Sequence, residues 1–363
     1  MISPARIVRR GLFVVALLLL GFFTLTRTGR YLARAGWAEA HILARRKAIP
    51  ALIASPSTDP VTRAKLQLVL AARAFAVDSV RLSAGESFTT YSRLDSDTLV
   101  LVLSAAYRDR LRSYTWWFPI VGRVPYKGFF DPRDALAAAR DLERRGFDTY
   151  VRPASAFSTL GWFNDPLVSS TLHEDSASLV NTVIHELTHN TFYAPGQAVF
   201  NESFANFVGS HGAMWYFRAR GDTANLRASE EDWAREVLYG TFLEAVYHSL
   251  DSAFAAHPAS AAARIAVRDT IYARARTLFV DSILPRFPGY RPGTTVRFSL
   301  NNARLFAQRV YRTGLEQFDA VLALEGGDLR RANARIIALA RSKPSDPYGA
   351  VRAWVAAQQQ RVG

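Results

Sequence analysis

The sequence predicts an α+β fold that is mostly helical, with a small sheet ahead of its chemistry-bearing helix. Three observations predict it. Ala, Arg and Leu recur at helical spacing towards both ends of the chain. A middle block, residues 98 to 172, switches to short apolar runs between turn signals. A His-Glu-Leu-Thr-His run follows that block. With 363 residues, 49% hydrophobic and 12% aromatic, the chain can bury a large core. It contains no cysteine, which excludes disulfides, thiolate nucleophiles and thiolate metal ligands, so a metal site must use imidazole and carboxylate.

The first element is the apolar run GLFVVALLLLGFFTL, Gly11 to Leu25, preceded by Arg6, Arg9 and Arg10. It matches the basic and apolar regions of an export signal. At ~1.5 Å per residue the run reaches roughly 22 Å, short for a bilayer span. The Ala33-Arg34-Ala35 triplet is a poor cleavage site among Arg27, Arg30 and Arg34. The expectation is therefore an uncleaved signal-anchor over residues 1 to 30, single-pass in the inner membrane, with the bulk of the chain in the periplasm. Residues 31 to 363 then form one domain in three parts: a helical part (31 to 97), a part with the sheet and the metal-site helices (98 to 212) and a helical C-terminal part (213 to 363).

Residues 31 to 82 read as helices interrupted by a turn between Pro50 and Pro60. Leu99 to Leu103 reads as a buried strand, Pro132 to Arg145 as a helix stopped by Gly146, and Thr149 to Arg152 as a second strand. The turn signal Asn164-Asp165-Pro166 introduces a third strand, Leu167 to Leu172. Asp175 to Tyr193 reads as a helix ended before Pro195 and Gly196, and another helix starts near Asn201. From there the chain reads as helical apart from the loop Pro285 to Thr295. The formal charge is +14, and +8 of it falls within the first 50 residues, where it suits orientation and lipid headgroups. No basic stripe with interleaved aromatics follows, so nucleic acid is not an expected partner.

The chemistry is carried by His185-Glu186-Leu187-Thr188-His189. Two histidines four apart stack on one helix face and can share an ion, while Glu186 lies beside it, placed to take a proton from an attacking water. Val180, Val183, Ile184 and Leu187 give the helix a separate buried face. Glu202, in Asn201-Glu202-Ser203-Phe204-Ala205-Asn206, opens the next helix and can supply a third ligand. Two His and one Glu leave a fourth position open, the arrangement of a catalytic zinc site holding one Zn²⁺ per chain.

This run resembles the gluzincin metallopeptidases, whose third ligand is a Glu on a following helix. In the thermolysin-like members an Asp four residues past that Glu supports a zinc-binding His, and the matching residue is Asn206. The whole chain is also similar to a bacterial family of predicted aminopeptidases with an N-terminal membrane or lipid anchor. The resemblance rests on TWWFPIVGRVPYKGFFDP at 115 to 132, WFNDPL at 162 to 167 and HELTHNTFYAPGQAVFNESFANFVG at 185 to 209. The missing cysteine rules out the lipid-modified form of that anchor. The resemblance implies a zincin-like metallopeptidase domain acting on peptides, with Glu186 as the base and His185, His189 and Glu202 as the metal ligands.

Around this centre Tyr239, Tyr247 and His248 are candidates to stabilise the developing oxyanion, the role a Tyr or His commonly fills in zincins. His211 reads as a core or surface histidine, or as a residue polarising substrate; His173 is a weaker candidate still. The aromatic stretch 115 to 132, with Trp117 and Tyr126, reads as a packed loop or as the wall of a substrate cleft. Residues Leu167 to Thr171 read as the edge strand on which an extended peptide would lie. Glu174 or Asp175 could receive a substrate's free amine. The rival readings are a non-catalytic envelope scaffold that keeps the fold, and a zinc hydrolase of some non-peptide amide.

Overall fold

The computed structural model describes residues 4–94, 100–118, 122–154, 166–293 and 298–362. The expected Asn164-Asp165 turn signal, most of the WFNDPL stretch, Leu99 and the end of the Pro285 to Thr295 loop lie outside them. The mostly helical α+β class holds.

Helix α1 (Pro4–Leu25) carries the apolar run, with Leu12, Leu18 and Leu25 exposed, and leads into α2 (Arg27–Ala44). Among the described residues no single helix is long and apolar enough to cross a membrane. One pair, Arg10–Leu25 with Thr28–Ala44, has the length and composition but is bent by 90°. Strand β1 (Lys47–Ala48), helix α3 (Ile49–Ala54) and helix α4 (Pro60–Phe75) follow. Both helices take proline in their first turn, where the missing N–H costs nothing, and Asp59 caps α4 by accepting from Thr62 N at 2.9 Å. The expected turn between Pro50 and Pro60 is thus partly a short helix.

The sheet work is divided. Strand β2 (Thr90–Ser92) pairs antiparallel with β1 and parallel with β8 (Leu167–Val168). Strand β3 (Val100–Tyr107) lies between β6 (Tyr126–Phe129) and β7 (Phe147–Ala154), and β4 (Trp116–Phe118) with β5 (Gly122–Val124) forms a hairpin. The 115 to 132 stretch, expected to be an irregular loop, is therefore mostly strand. Helix α5 (Pro132–Arg144) covers one face of the β6-β3-β7 sheet, with Ala139 and Leu142 against Leu103 and Val151. Alternation sends Val102, Ser104, Tyr126 and Arg152 to the opposite face.

The strand expected over Leu167 to Leu172 stops at Val168. The backbone then closes into a 3₁₀ turn at Thr171–His173. Ser169 Oγ accepts from Leu94 N at 2.9 Å, and Lys65 Nζ donates to the Leu172 and Glu174 carbonyls, so these groups are taken from the ladder. An edge for an extended peptide is correspondingly reduced to two buried residues.

Helix α6 (Ser176–Thr191) and helix α7 (Ala198–Arg218) form the centre of the main core, with Phe200, Phe204 and Phe207 fully buried beside Phe318. Helix α7 is apolar nearly all round, as a helix enclosed by others must be. Helices α8 (Thr223–Ala255) and α9 (Ala261–Leu278) make a second core with α10 (Asn302–Arg309), and α11 (Leu315–Leu324), α12 (Leu329–Ser342) and α13 (Pro347–Val362) close the first.

Candidate metal centre

Asp175 starts α6 by accepting from Ser178 N at 2.9 Å, and the helix runs until Phe192 turns extended. Within it Val183, Ile184 and Leu187 are buried, which leaves His185, Glu186 and His189 on the remaining face. The return to α7 is set by Asn201, buried in the first turn of α7. Its Oδ1 accepts from Ala194 N and its Nδ2 donates to Ala194 O, both at 2.9 Å. This clamp holds the connector, and the next residue, Glu202, faces the histidines. Close approach of the helices depends on Gly209: a Cβ there would lie 3.0 Å from the Asn181 carbonyl oxygen and 3.1 Å from His185 Cβ.

The result is a convergence of three donors. His185 Nε2 and His189 Nε2 are 3.3 Å apart, His185 Nε2 is 3.4 Å from Glu202 Oε2, and His189 Nε2 is 3.8 Å from Glu202 Oε1. Among the described residues this is the one group of at least three His, Cys, Asp or Glu close enough to share an ion, with ligand atoms all within 4.8 Å. The donor set fits zinc: bonds of ~2.0–2.1 Å arranged tetrahedrally separate neighbouring ligand atoms by roughly 3.3–3.4 Å. Burial favours the neutral form of His185, but the hydrogen bond it donates to Glu202 and then the charges of Glu186 and Glu202 outweigh it and raise its pKa. Burial likewise opposes ionisation of Glu202, and the hydrogen bonds to His185 and His189 overcome it, holding the carboxyl well below the usual range.

Two residues at this centre had no signal in the sequence. Tyr311 lies with its ring 6.4 Å from that of His185. Burial, followed by the negative charge of Glu202, pushes its phenol up to about 12, so it keeps its proton. Asn206 Nδ2 donates to the Tyr311 carbonyl at 3.0 Å, while Ser203 Oγ bonds Val310 O and Thr313 N at 3.0 and 3.1 Å. The helix that carries Glu202 therefore also fixes the turn that carries Tyr311, 105 residues beyond Asn206. Arg152 Nη2 donates to the Tyr311 hydroxyl at 3.4 Å. Tyr126 on β6 is half-exposed as a residue, and its phenol is raised by partial withdrawal from water and then by Glu202. It is the member of the aromatic stretch that senses the cluster.

Other expected residues go elsewhere. Asn206 supports no histidine: its amide joins the Tyr311 carbonyl to Glu236 Oε2, 3.2 Å away. Tyr239 stacks on Phe242 and meets Phe279 edge-on in the second core, Tyr247 lies 3.6 Å under the Arg309 guanidinium, and the His248 side chain is 74% exposed beside Glu244. None of the three contacts a candidate ligand among the described residues, because α8 packs into the second core. His211 takes the bland reading, with Nε2 at 2.8 Å from Asp319 Oδ1 and its ring against Phe207 and Trp233. Trp117 is exposed on its hairpin, and His173 lies exposed in the 3₁₀ turn. Asp175 is spent on its cap. Glu174 Oε2 accepts from Thr182 Oγ1 at 2.8 Å, one helical turn before Glu186. Burial above all pushes its carboxyl up to about 7, with Asp175 and Glu186 adding to it.

No curated protein and no solved structure matches the chain. A family model described as "putative aminopeptidase" matches residues 30–347, and with most of its length covered the chain belongs to that family.

Proposed function

We propose that the protein is a zinc-dependent peptidase that removes residues from the free amino end of its substrates, with His185, His189 and Glu202 holding one Zn²⁺. The observation that carries this reading is the mutual reach of three donors of the right types beside Glu186. Membership of the aminopeptidase family supports the choice of reaction.

Bound there, zinc would supply Lewis-acid polarisation of the scissile carbonyl and lower the pKa of water towards neutrality. Glu186, next to His185 on α6, accepts the proton of the attacking water and delivers it to the leaving amine. Tyr311, protonated and accepting from Arg152, donates its own O–H, which has no acceptor among the described residues, to the developing oxyanion. Glu174, held by Thr182 one turn from Glu186, receives the substrate's ammonium group. Attachment to the inner membrane through the exposed leucines of α1, with the domain in the periplasm, completes the proposal. Recovery of the full-length chain in the soluble fraction after cell lysis would refute that last part.

Purified protein should contain about one zinc per chain. Glu186→Gln should keep that zinc and lose peptide hydrolysis by about 10²–10⁴-fold. A Glu186→Gln protein as active as the wild type, or a wild type that stays metal-free in zinc-supplemented buffer, would sink the reading.

A further inference from the structure

Arg152 presents a charge that no carboxylate among the described residues pairs with. It stands opposite Val102 on β7, on the sheet face that α5 does not cover, and shares that face with Tyr126 on β6. Its guanidinium acts on both Tyr126 and Tyr311, the two phenols that also sense Glu202. Its hydrogen bond to the Tyr311 hydroxyl is long, at 3.4 Å, and its Nε is buried without a partner. Among the described residues no carboxylate lies within ion-pair distance of it. Nearby Arg309 and Arg312 differ, being paired with Glu244 at 2.9 Å and Glu236 at 2.7 Å. A guanidinium is always charged, and withdrawing it from water without a counter-charge is unfavourable. Its planar fork matches a carboxylate.

We infer that Arg152 receives a substrate carboxylate carried by the residue just past the scissile bond, as every dipeptide carries one at its C-terminus. The span suits it. Arg152 reaches the cluster through one intervening side chain, Tyr311, and the carboxylate of a dipeptide is only two bonds beyond the scissile nitrogen. The inference rests on the peptidase reading and narrows its substrates to very short peptides, or to peptides with an acidic side chain at that position.

The test is binding to zinc-loaded Glu186→Gln protein, which should not consume its ligand, followed by calorimetry. The probes are Ala-Ala, its C-terminal amide, and Ala-Glu amide, which keeps only a side-chain carboxylate. Ala-Ala should bind about 10- to 100-fold more tightly than its amide, the span of a charge-assisted hydrogen bond. Adding Arg152→Gln should remove that difference while zinc content and melting temperature stay the same. Tight binding of Ala-Glu amide would extend the site to side-chain carboxylates; weak binding would restrict it to the C-terminus. Equal affinity for Ala-Ala and its amide, no binding of any probe, or an Arg152→Gln loss that is the same for acid and amide would overturn the inference. The last result would mean that Arg152 acts through Tyr311. Zinc content and wild-type hydrolysis are read separately, so the peptidase reading can stand when this one falls.

Discussion

Strand β7 carries a charged residue near each end of one face, and the two live in opposite circumstances. Asp148 is 4% exposed and surrounded: Arg268 pairs with one oxygen, Arg108 Nε lies at 3.1 Å from the other, and Asn302 N donates at 2.8 Å. Around it Tyr272 donates to Asn302 Oδ1 at 2.6 Å, and Asn302 Nδ2 reaches the Tyr107 carbonyl at 2.7 Å. Arg152, four residues on, is partly buried, and among the described residues it meets a neutral partner, Tyr311, by one long hydrogen bond and by its ring, 5.7 Å from the guanidinium. A buried charge whose partners are all supplied by its own chain has nothing left to offer a ligand, and it serves the fold. A partly buried one left short of counter-charge keeps its hydrogen-bonding fork available to a ligand.

That contrast can be broken by mutation. The largest expected effect is on the closed cluster: Asp148→Asn removes the buried counter-charge of Arg268, which keeps only the largely exposed Asp269, and should cost up to about 3–5 kcal/mol in denaturant melts. Activity per folded molecule should not change; a variant as stable as the wild type would show the knot to be ornamental. At the open cluster Tyr311→Phe should lower kcat by about 10²-fold, with KM within a few-fold and zinc retained. A rise in KM alone would assign Tyr311 to substrate binding.

Gly209→Ala tests the frame that holds the open cluster. The added methyl meets Asn181 and His185, so α7 must move away from α6, at a cost of about 1–3 kcal/mol. Zinc affinity should fall with it, and unchanged affinity at lowered stability would mean that Glu202 does not depend on that approach. The smallest effect belongs to Glu174. Its carboxyl is raised to about 7 by burial, so folding is neutral to it below the ordinary value of 4.5 and opposed by it increasingly as pH rises towards 7. Glu174→Gln should therefore leave the melting temperature unchanged near pH 4. Above pH 7 it should raise stability, by at most about 3 kcal/mol. The same variant should raise KM for peptides with a free amine and not for N-blocked ones. A fall in stability at pH 8 would contradict the shift.

What could be read in the sequence was short-range. The four-residue spacing of His185 and His189 becomes a shared face by helix geometry alone, and Glu186 follows by adjacency. Glu202 needed one further step, the turn at Pro195-Gly196, and its details rest on Asn201, whose amide clamps Ala194. The strand expected to run to Leu172 was misread because side-chain hydrogen bonds from Ser169 and Lys65 compete with the ladder, and apolar alternation does not register them. Tyr239, Tyr247 and His248 were reasonable by residue type, but which face of α8 meets the site is decided by the second core. The sequence by itself determined the helical class, the two-histidine face and the restriction of any metal ligands to imidazole and carboxylate, because these follow from periodicity and the absence of cysteine. Only the tertiary structure decided that Tyr311 and Arg152, from a distant turn and from the sheet face opposite α5, stand beside the three candidate ligands. Such contacts are set by packing, which carries no fixed spacing along the chain.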